Sequence, residues 1–166
     1  MEILDIYDDN GKPTGKTIIR GDKSIKLTSN EHIALTVIFI ENEKHEFLMQ
    51  MTSIEKDSVF ATTGGHVESG ETPLQAIIRE VDEELGIDIS NEDIKELGYI
   101  SYDIPLRFIF YLKKDIDINS LNLQKDEVAY VRYMSIDQIN HLIENNEVLQ
   151  SHAIQFKHML EIRDNK

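Results

Sequence analysis

The sequence contains no cysteine, which excludes disulfide bonds, zinc sites built from thiolates and a thiol nucleophile. It also has no apolar run long enough to span a membrane, so we expect no membrane partner. The first residues, MEILDIYDD, are acidic and lack the layout of a signal peptide. All three observations are compatible with the cytosol, and we expect a cytoplasmic protein.

Basic residues are scarce, with 17 Lys and Arg against 31 Asp and Glu and a formal net charge of −14. Nucleic-acid backbones are held by clusters of Lys and Arg, and no such cluster is evident, so we expect no nucleic-acid partner. The same charge would repel a phosphorylated small molecule. An enzyme that acts on such a molecule would therefore need a cation bound close to its acidic groups.

A chain of 166 residues suits one domain with a sizeable core. We therefore predict a single domain over residues 1–166, with an N-terminal hairpin extension over residues 1–28. The hairpin prediction rests on two short apolar segments, 3–7 and 17–20, on either side of a turn rich in Asp, Asn, Gly and Pro.

The rest of the chain alternates between strand-like and helix-like segments. Residues 32–40 are apolar and β-branched nearly throughout, which is typical of a buried central strand. Further strands are predicted at 47–51, 59–62, 96–103, 107–113 and 127–134, and helices at 73–85, 135–143 and 150–162. This order predicts a mixed α+β (α/β) architecture, in which a mixed sheet carries helices on its two faces.

The helix predicted at 73–85 has unusually clear ends. Its apolar residues recur at helical spacing and form one stripe: Leu74, Ile77, Ile78, Val81 and Leu85. Thr72 stands at the N-cap position, Pro73 at the first helical position and Gln75 where a capping box needs it. Gly86 follows the stripe, where a left-handed C-terminal cap favours glycine.

Three glutamates crowd the other surface of this helix. Glu80, Glu83 and Glu84 lie within about 100° of one another around the helix axis. Like charges at this spacing destabilise a helix by about 0.2–0.5 kcal/mol per pair. Three clustered carboxylates are what a hard divalent cation needs as ligands, although a simple solvated acidic face would have the same pattern.

These glutamates belong to a longer pattern. From Gly65, five residues lead to Glu71, seven more lead to Arg79-Glu80, and the segment closes with Glu83-Glu84 and Gly86-Ile87. The stretch resembles the Nudix box, G-x5-E-x7-R-E-U-x-E-E-x-G-U with U apolar, at every constrained position. This resemblance implies the Nudix α/β/α sandwich, with residues 65–87 forming a loop–helix–loop.

The resemblance also implies roles for individual residues. Glu80, Glu83 and Glu84 would bind Mg2+ or Mn2+, and one of the three would act as general base. The Gly64 carbonyl would be a further metal ligand. Catalytic roles are implied for Glu83, Glu71 and Arg79, with Arg79 holding Glu71 in place. Outside the box, Glu127 is a candidate for an extra ligand or base.

The implied activity is metal-dependent hydrolysis of a diphosphate linkage in a nucleoside-diphosphate-linked, or otherwise X-linked, small molecule. The box does not identify X, the number of metal ions or the oligomeric state, and a homodimer is one open arrangement.

Many Nudix enzymes carry a tryptophan and a proline before the paired glycines, whereas residues 60–63 here read FATT. For three aromatic residues two roles are open, stacking on a nucleobase or packing in the core: Tyr99, Tyr102 and Phe108.

Two other functions stay open at this point. The N-terminal lead-in resembles a bacterial subgroup related to isopentenyl-diphosphate isomerase, but that enzyme implies an acid/base cysteine, which this chain lacks. The other is a non-catalytic nucleotide-binding Nudix module. Such modules usually lose carboxylates of the box, and here the box is complete.

Overall fold

Strand β3, Ala34–Glu41, lies at the centre of a seven-stranded mixed sheet in the computed structural model, which describes residues 1–164. The other strands are β1 (Ile3–Tyr7), β2 (Pro13–Ile19), β4 (Glu46–Thr52), β5 (Phe60–Ala61), β6 (Gly64–His66), β7 (Lys95–Ser101), β8 (Leu106–Lys113) and β9 (Val128–Ser135). The α-helices are α1 (Pro73–Leu85), α2 (Ile136–Glu144) and α3 (Gln150–Arg163). Short 3₁₀ turns occur at Ile54–Lys56 and Ile118–Ser120.

The pairing around β3 opens the sheet at one end. On one side, β3 runs parallel to β8 along its whole length, and β8 pairs with β7. On the other side, β3 pairs with β4 only at Glu41 and Phe47, so the two strands diverge beyond that point. The short strands β5 and β6 occupy the gap, β5 beside β4 and β6 beside β3. This arrangement brings the paired glycines of β6 to the opening.

Helices cover both faces of the sheet, as predicted. On one face, Ile77, Val81 and Leu85 of α1 belong to a buried cluster with sheet residues that include Ile38 and Phe110. On the opposite face, α2 and α3 pack on sheet residues that include Phe39 and Phe47. The ring of Phe156 in α3 lies 5.8 Å from Phe39 and 5.4 Å from Phe47, measured between centroids. The expected α/β/α sandwich is confirmed.

The N-terminal hairpin is also confirmed, and it forms a separate two-stranded sheet of β1 and β2. Leu4 and Tyr7 of β1 are buried against the main body. The Tyr7 amide donates to the carbonyl of His32 at 2.7 Å, which fixes the hairpin beside the start of β3. Residues 165 and 166, which the predicted domain includes, lie outside the described residues.

The caps of α1 form as the sequence predicts. The Thr72 hydroxyl accepts from the Gln75 amide at 3.1 Å, and the Gln75 side chain accepts from the Thr72 amide at 2.8 Å. Gly86 adopts a left-handed conformation with φ of 73° and donates to the carbonyl of Asp82. These local bonds fix where the helix begins and ends, and hence where its glutamates lie.

One local prediction is corrected. Residues 65–66 were expected in a loop but belong to β6, because the edge of β3 is free to pair with them. Strand β4 pairs with β3 only at Glu41 and Phe47, and it pairs along its length with β9. No helix within residues 1–164 combines the length and the apolar character that crossing a membrane requires.

Replacement of Thr72 by alanine should lower the free energy of unfolding by about 1 kcal/mol, because it removes the oxygen that accepts from Gln75. Urea denaturation followed by circular dichroism measures the change. The matched control is Thr72→Ser, which keeps the hydroxyl and should retain most of the stability. Equal losses in the two variants would show that the capping bond does not contribute.

Candidate active site

The acidic surface of α1 borders a cavity of about 450 Å3. The cavity lies beside β3 and β6, and residues of the N-terminal hairpin, β8 and α3 complete its lining. Three predicted metal ligands on α1, namely Glu80, Glu83 and Glu84, all face it, together with Gly64 and the candidate Glu127. The fold therefore brings the proposed metal ligands to one concave surface.

Arg79 connects the carboxylates of the site. Its Nε and Nη2 atoms donate to the two oxygens of Glu71 at 3.1 and 2.6 Å, and Nη2 also donates to the carbonyl of His66 at 3.0 Å. Its Nη1 atom donates to Glu80 at 2.9 Å and to Glu83 at 3.3 Å. The bonds to Glu71 raise the pKa of Arg79 above its usual range, so the guanidinium stays charged.

Glu80 fits into the space left by a glycine. A Cβ atom placed on Gly65 would lie 2.3 Å from Glu80 Oε1, so any side chain at Gly65 would displace the carboxylate. Burial raises the pKa of Glu80 to about 7, although the neighbouring Arg79 opposes this shift. The carboxylate is thus held in a desolvated position beside the cavity.

Glu84 is the most buried of the three, with 7% of its surface exposed. Its carboxylate accepts from Gln50 Nε2 at 3.3 Å, and Gln50 in turn accepts from the hydroxyl of Thr63 at 2.9 Å. Within residues 1–164, no cationic side chain forms an ion pair with Glu84. Burial raises its pKa to about 8, and the charge of nearby Glu80 adds to the effect.

Glu83 and Glu127 are more accessible. The Glu83 side chain is 51% exposed and is held only by Arg79. Glu127 lines the cavity from the segment before β9, and its carboxylate lies 3.6 Å from Lys56 Nζ. Glu71 does not line the cavity, because both of its oxygens face Arg79.

The donor chemistry of the site fits a hard divalent cation. All the candidate ligands are oxygens, and the buried Glu84 carboxylate has only an amide as its partner. A Cβ atom on Gly64 would lie 2.4 Å from the carbonyl oxygen of Thr36, so a side chain at this position would clash. The backbone beside the cavity therefore carries no side chain here. In the part of the chain that the structure describes, however, no three His, Asp or Glu side chains converge on one ion position. Arg79 draws Glu80 and Glu83 toward itself, and Gln50 holds Glu84.

The NUDIX domain family model matches residues 30–155, most of the chain. The chain belongs to the Nudix family. An uncharacterized Nudix hydrolase of Listeria monocytogenes is 31% identical over 153 residues, covering 90% of this chain and 89% of that protein. The asymmetrical bis(5'-nucleosyl)-tetraphosphatase of Sus scrofa is 34% identical over 106 residues, covering 60% of this chain and 70% of that one. With these hydrolases as relatives, the chain is assigned to the Nudix pyrophosphohydrolases.

Solved structures agree on the fold. DR0079 from Deinococcus radiodurans aligns with a TM-score of 0.73 at 19% identity, covering 89% of this chain and 91% of that one. The NUDIX domain of Shewanella oneidensis NrtR, crystallised with ADP ribose, aligns with a TM-score of 0.64 at 12% identity, covering 84% and 91%. The resemblance of the N-terminal lead-in to the isomerase-related subgroup stays a prediction.

Several residues around the Nudix box differ from what the sequence indicated. His66, to which the sequence assigned no role, is half-buried beside the cavity, and burial lowers its pKa to about 4. Gln50, which holds Glu84, was missed, although a glutamine within the apolar run FLMQM was a signal for a buried polar contact. The candidate base-stacking rings do not line the cavity: Tyr99 and Phe108 pack on each other, and Tyr102 packs on Arg107.

The two glycines of the Nudix site should respond differently to alanine. Gly64→Ala should lower the free energy of unfolding by about 2 kcal/mol or more, because its Cβ would meet backbone at Thr36. Gly65→Ala should change it by less than about 1 kcal/mol, since only the movable Glu80 side chain is displaced. Urea denaturation of the two variants tests this difference. Equal losses of stability would contradict the prediction that the Glu80 side chain moves aside while the backbone at Thr36 does not.

In metal-free buffer, the raised pKa of Glu84 should make the protein less stable as pH rises. The folded state binds more protons than the unfolded state between pH 4.5, the ordinary pKa of the group, and about 8. The free energy of unfolding therefore falls through this window. Glu84→Gln removes the effect, because glutamine cannot ionise.

The gain in stability from Glu84→Gln should consequently be near zero at pH 4.5 and should grow toward pH 9. Each unit of pKa shift corresponds to about 1.4 kcal/mol. Chemical denaturation at a series of pH values, with chelator present, measures the difference between variant and wild type. A difference that stays constant with pH would show that Glu84 is not desolvated.

Proposed function

We propose that this chain uses Mg2+ or Mn2+ to hydrolyse a diphosphate linkage in a nucleoside-diphosphate-linked small molecule. The observation that carries the proposal is the Glu84 carboxylate, which is buried beside the cavity without a cationic partner and next to Glu80. Burying a carboxylate without a compensating cation is costly. A divalent ion bound there would remove that cost.

The net charge of the chain also supports a bound divalent cation. At −14, with three glutamates of α1 lining the cavity, the protein would repel a diphosphate. A divalent cation, when bound, neutralises charge on the diphosphate and lowers the pKa of water toward neutrality. We propose Glu80 and Glu84, with Glu83 and the Gly64 carbonyl, as the residues that would hold it.

The remaining roles follow from exposure and contacts. Glu83 is our candidate for the general base, because its carboxylate is half-exposed at the cavity and only Arg79 restrains it. Arg79 and Glu71 are positioning residues, since their mutual hydrogen bonds fix the guanidinium that contacts Glu80 and Glu83. Glu127 is a second candidate for the base, but Lys56 already pairs with it.

The class of substrate is supported by the relatives and by the size of the cavity. A bis(5'-nucleosyl)-tetraphosphatase is among the similar proteins, and the similar NrtR domain was crystallised with ADP ribose. Both names refer to nucleosides joined through phosphates. A volume of about 450 Å3 lies in the usual range for small-molecule sites. The cytoplasmic location and the homodimer stay predictions.

Glu83→Gln and Glu84→Gln should each lower turnover by about a hundredfold or more while the fold is retained, because each removes a negative oxygen that the chemistry needs. The assay is release of phosphate or pyrophosphate from a panel of diphosphate compounds with Mg2+ or Mn2+. Asp82→Asn is the matched control, since Asp82 is exposed on the same helix and does not line the cavity.

Excess chelator should abolish the activity of the wild-type protein, and added Mg2+ or Mn2+ should restore it. Full activity in chelator, or unchanged turnover in both glutamine variants, would overturn the proposed function. A loss of activity in Asp82→Asn equal to that in Glu83→Gln would show that net charge of the helix, rather than the site, is responsible.

A further inference from the structure

Two side chains behind the wall of the cavity form a chain of hydrogen bonds that ends on Glu84. The Thr63 hydroxyl donates to Gln50 Oε1 at 2.9 Å, and Gln50 Nε2 donates to Glu84 Oε2 at 3.3 Å. All three side chains are buried, and Glu84 lines the cavity whereas Thr63 and Gln50 do not. The amide therefore reaches the carboxylate from the side away from the cavity. We refer to Thr63 and Gln50 as the relay.

The sheet fixes the backbone of both relay residues. Gln50 lies in β4 between two neighbouring strands, opposite Ala61 of β5 and Val131 of β9. Thr63 lies between β5 and β6, and its carbonyl accepts from the amide of Ile38 in β3 at 3.0 Å. Side chains held by strands are placed more precisely than side chains on loops. The relay therefore fixes Glu84 of α1 against the opening of the sheet.

The donors and acceptors of the relay match in one arrangement. An ionised carboxylate only accepts, so the Gln50 amide has to present its NH2 group to Glu84. Its carbonyl oxygen then faces Thr63, where the hydroxyl donates to it. An apolar residue in place of Thr63 would leave this buried oxygen unpaired, which is strongly unfavourable. Thr63 thus holds the amide in the orientation that Glu84 requires.

The relay occupies one oxygen of Glu84 and leaves the other free. Within residues 1–164, Oε1 accepts no hydrogen bond, and it is not among the unpaired atoms that are closed to solvent. Since Glu84 lines the cavity, Oε1 is the oxygen that a bound ion can reach. Carboxylates that bind metal ions are commonly held by a hydrogen bond from a neighbouring residue, and the relay supplies such a bond.

The relay also gives a role to the segment before the paired glycines. Residues 60–63 read FATT, where many Nudix enzymes carry a tryptophan and a proline. Thr63 is the residue directly before Gly64. A proline offers no proton to Gln50, whereas the Thr63 hydroxyl does. The segment in which this chain departs from the family pattern is therefore the one that supplies the donor.

We propose that Thr63 and Gln50 are positioning residues for the metal site, which hold Glu84 so that its free oxygen faces the cavity before an ion binds. This inference rests on the proposed function, in which Glu84 binds Mg2+ or Mn2+. A carboxylate that is already ordered loses less side-chain freedom when it binds an ion. Loss of the relay should therefore weaken ion binding, although every proposed ligand is still present.

Thr63→Val tests the relay, because valine keeps the shape of threonine and removes the donor. The dissociation constant of Mn2+ alone, measured by electron paramagnetic resonance without substrate, should rise about tenfold or more. Thr63→Ser keeps the hydroxyl and should stay within about threefold of wild type. Thr14→Val is the matched control, since it removes a 2.9 Å hydrogen bond to the Ile6 carbonyl in the hairpin, away from the cavity. It should leave Mn2+ binding unchanged.

A double-mutant cycle shows whether Thr63 acts through Gln50. Gln50→Met keeps the length of the side chain and removes its amide, so it should also weaken Mn2+ binding about tenfold or more. Thr63→Val in the Gln50→Met background should weaken binding by less than about twofold further, because its partner is gone. Losses that multiply in the double variant would show that the two residues act separately, and the relay would be wrong.

A positioning role also predicts how turnover responds to the metal. Thr63→Val should raise the Mn2+ concentration that gives half-maximal turnover by the same factor as the dissociation constant. At saturating Mn2+, its kcat should stay within about threefold of wild type, because all the carboxylates are present. Glu84→Gln, which removes a ligand, should stay impaired at any Mn2+ concentration.

Crystal structures separate this inference from the proposed function. If wild-type protein binds no Mn2+ and hydrolyses no diphosphate, the proposed function fails, and metal-free crystals of wild type and the Thr63 variants then decide the inference. The Glu84 carboxylate should move by about 1 Å or more in Thr63→Val and stay in place in Thr63→Ser. An unmoved carboxylate in Thr63→Val would overturn the inference. So would Mn2+ binding by Thr63→Val as tight as that of wild type, or equal losses in Thr63→Val and Thr63→Ser.

Discussion

Arg79 contacts the carboxylates of Glu71, Glu80 and Glu83 at 2.6 to 3.3 Å, and the rest of the site is arranged around this one cation. Without it, three glutamates within five residues of α1 would repel one another on a partly desolvated surface. Its bond to the His66 carbonyl also joins the helix to strand β6. One side chain thus fixes the helix against the sheet and sets the direction of the acidic groups.

The second feature of the site is the carboxylate of Glu84, which Arg79 does not contact. Glu84 lies one turn beyond Glu80, where only the Gln50 amide contacts it, and its pKa is raised to about 8. On the side of α1 that faces the cavity, the negative charge of Glu84 is therefore not balanced by a cationic side chain. The divalent-ion site that we propose would remove this imbalance and would allow so acidic a chain to bind a diphosphate.

The shape of the cavity comes from the sheet. Because β3 and β4 pair only at Glu41 and Phe47, the sheet opens and admits β5 and β6 between them. The glycines of β6 then allow close approach on both sides, with Thr36 behind Gly64 and the Glu80 carboxylate beside Gly65. Glycine at these positions serves packing, since neither has a positive φ.

The sequence by itself determined the features that depend on neighbours along the chain. The caps of α1 at Thr72 and Gly86 and its apolar stripe lie within one helix and its flanking turns, so local periodicity and capping rules were sufficient. The spacing from Gly65 to Glu84 is likewise a property of the sequence alone. The strands and the two-sided packing of helices also followed from apolar patterning. Tertiary structure alone decided that β4 pairs with β9, that Gln50 holds Glu84, and that Thr62, Arg107, His152 and Gln155 meet at one cavity. The physical reason is that these residues come from elements far apart in sequence, and whether a polar side chain is buried, paired or left unpaired depends on which strands and helices pack around it.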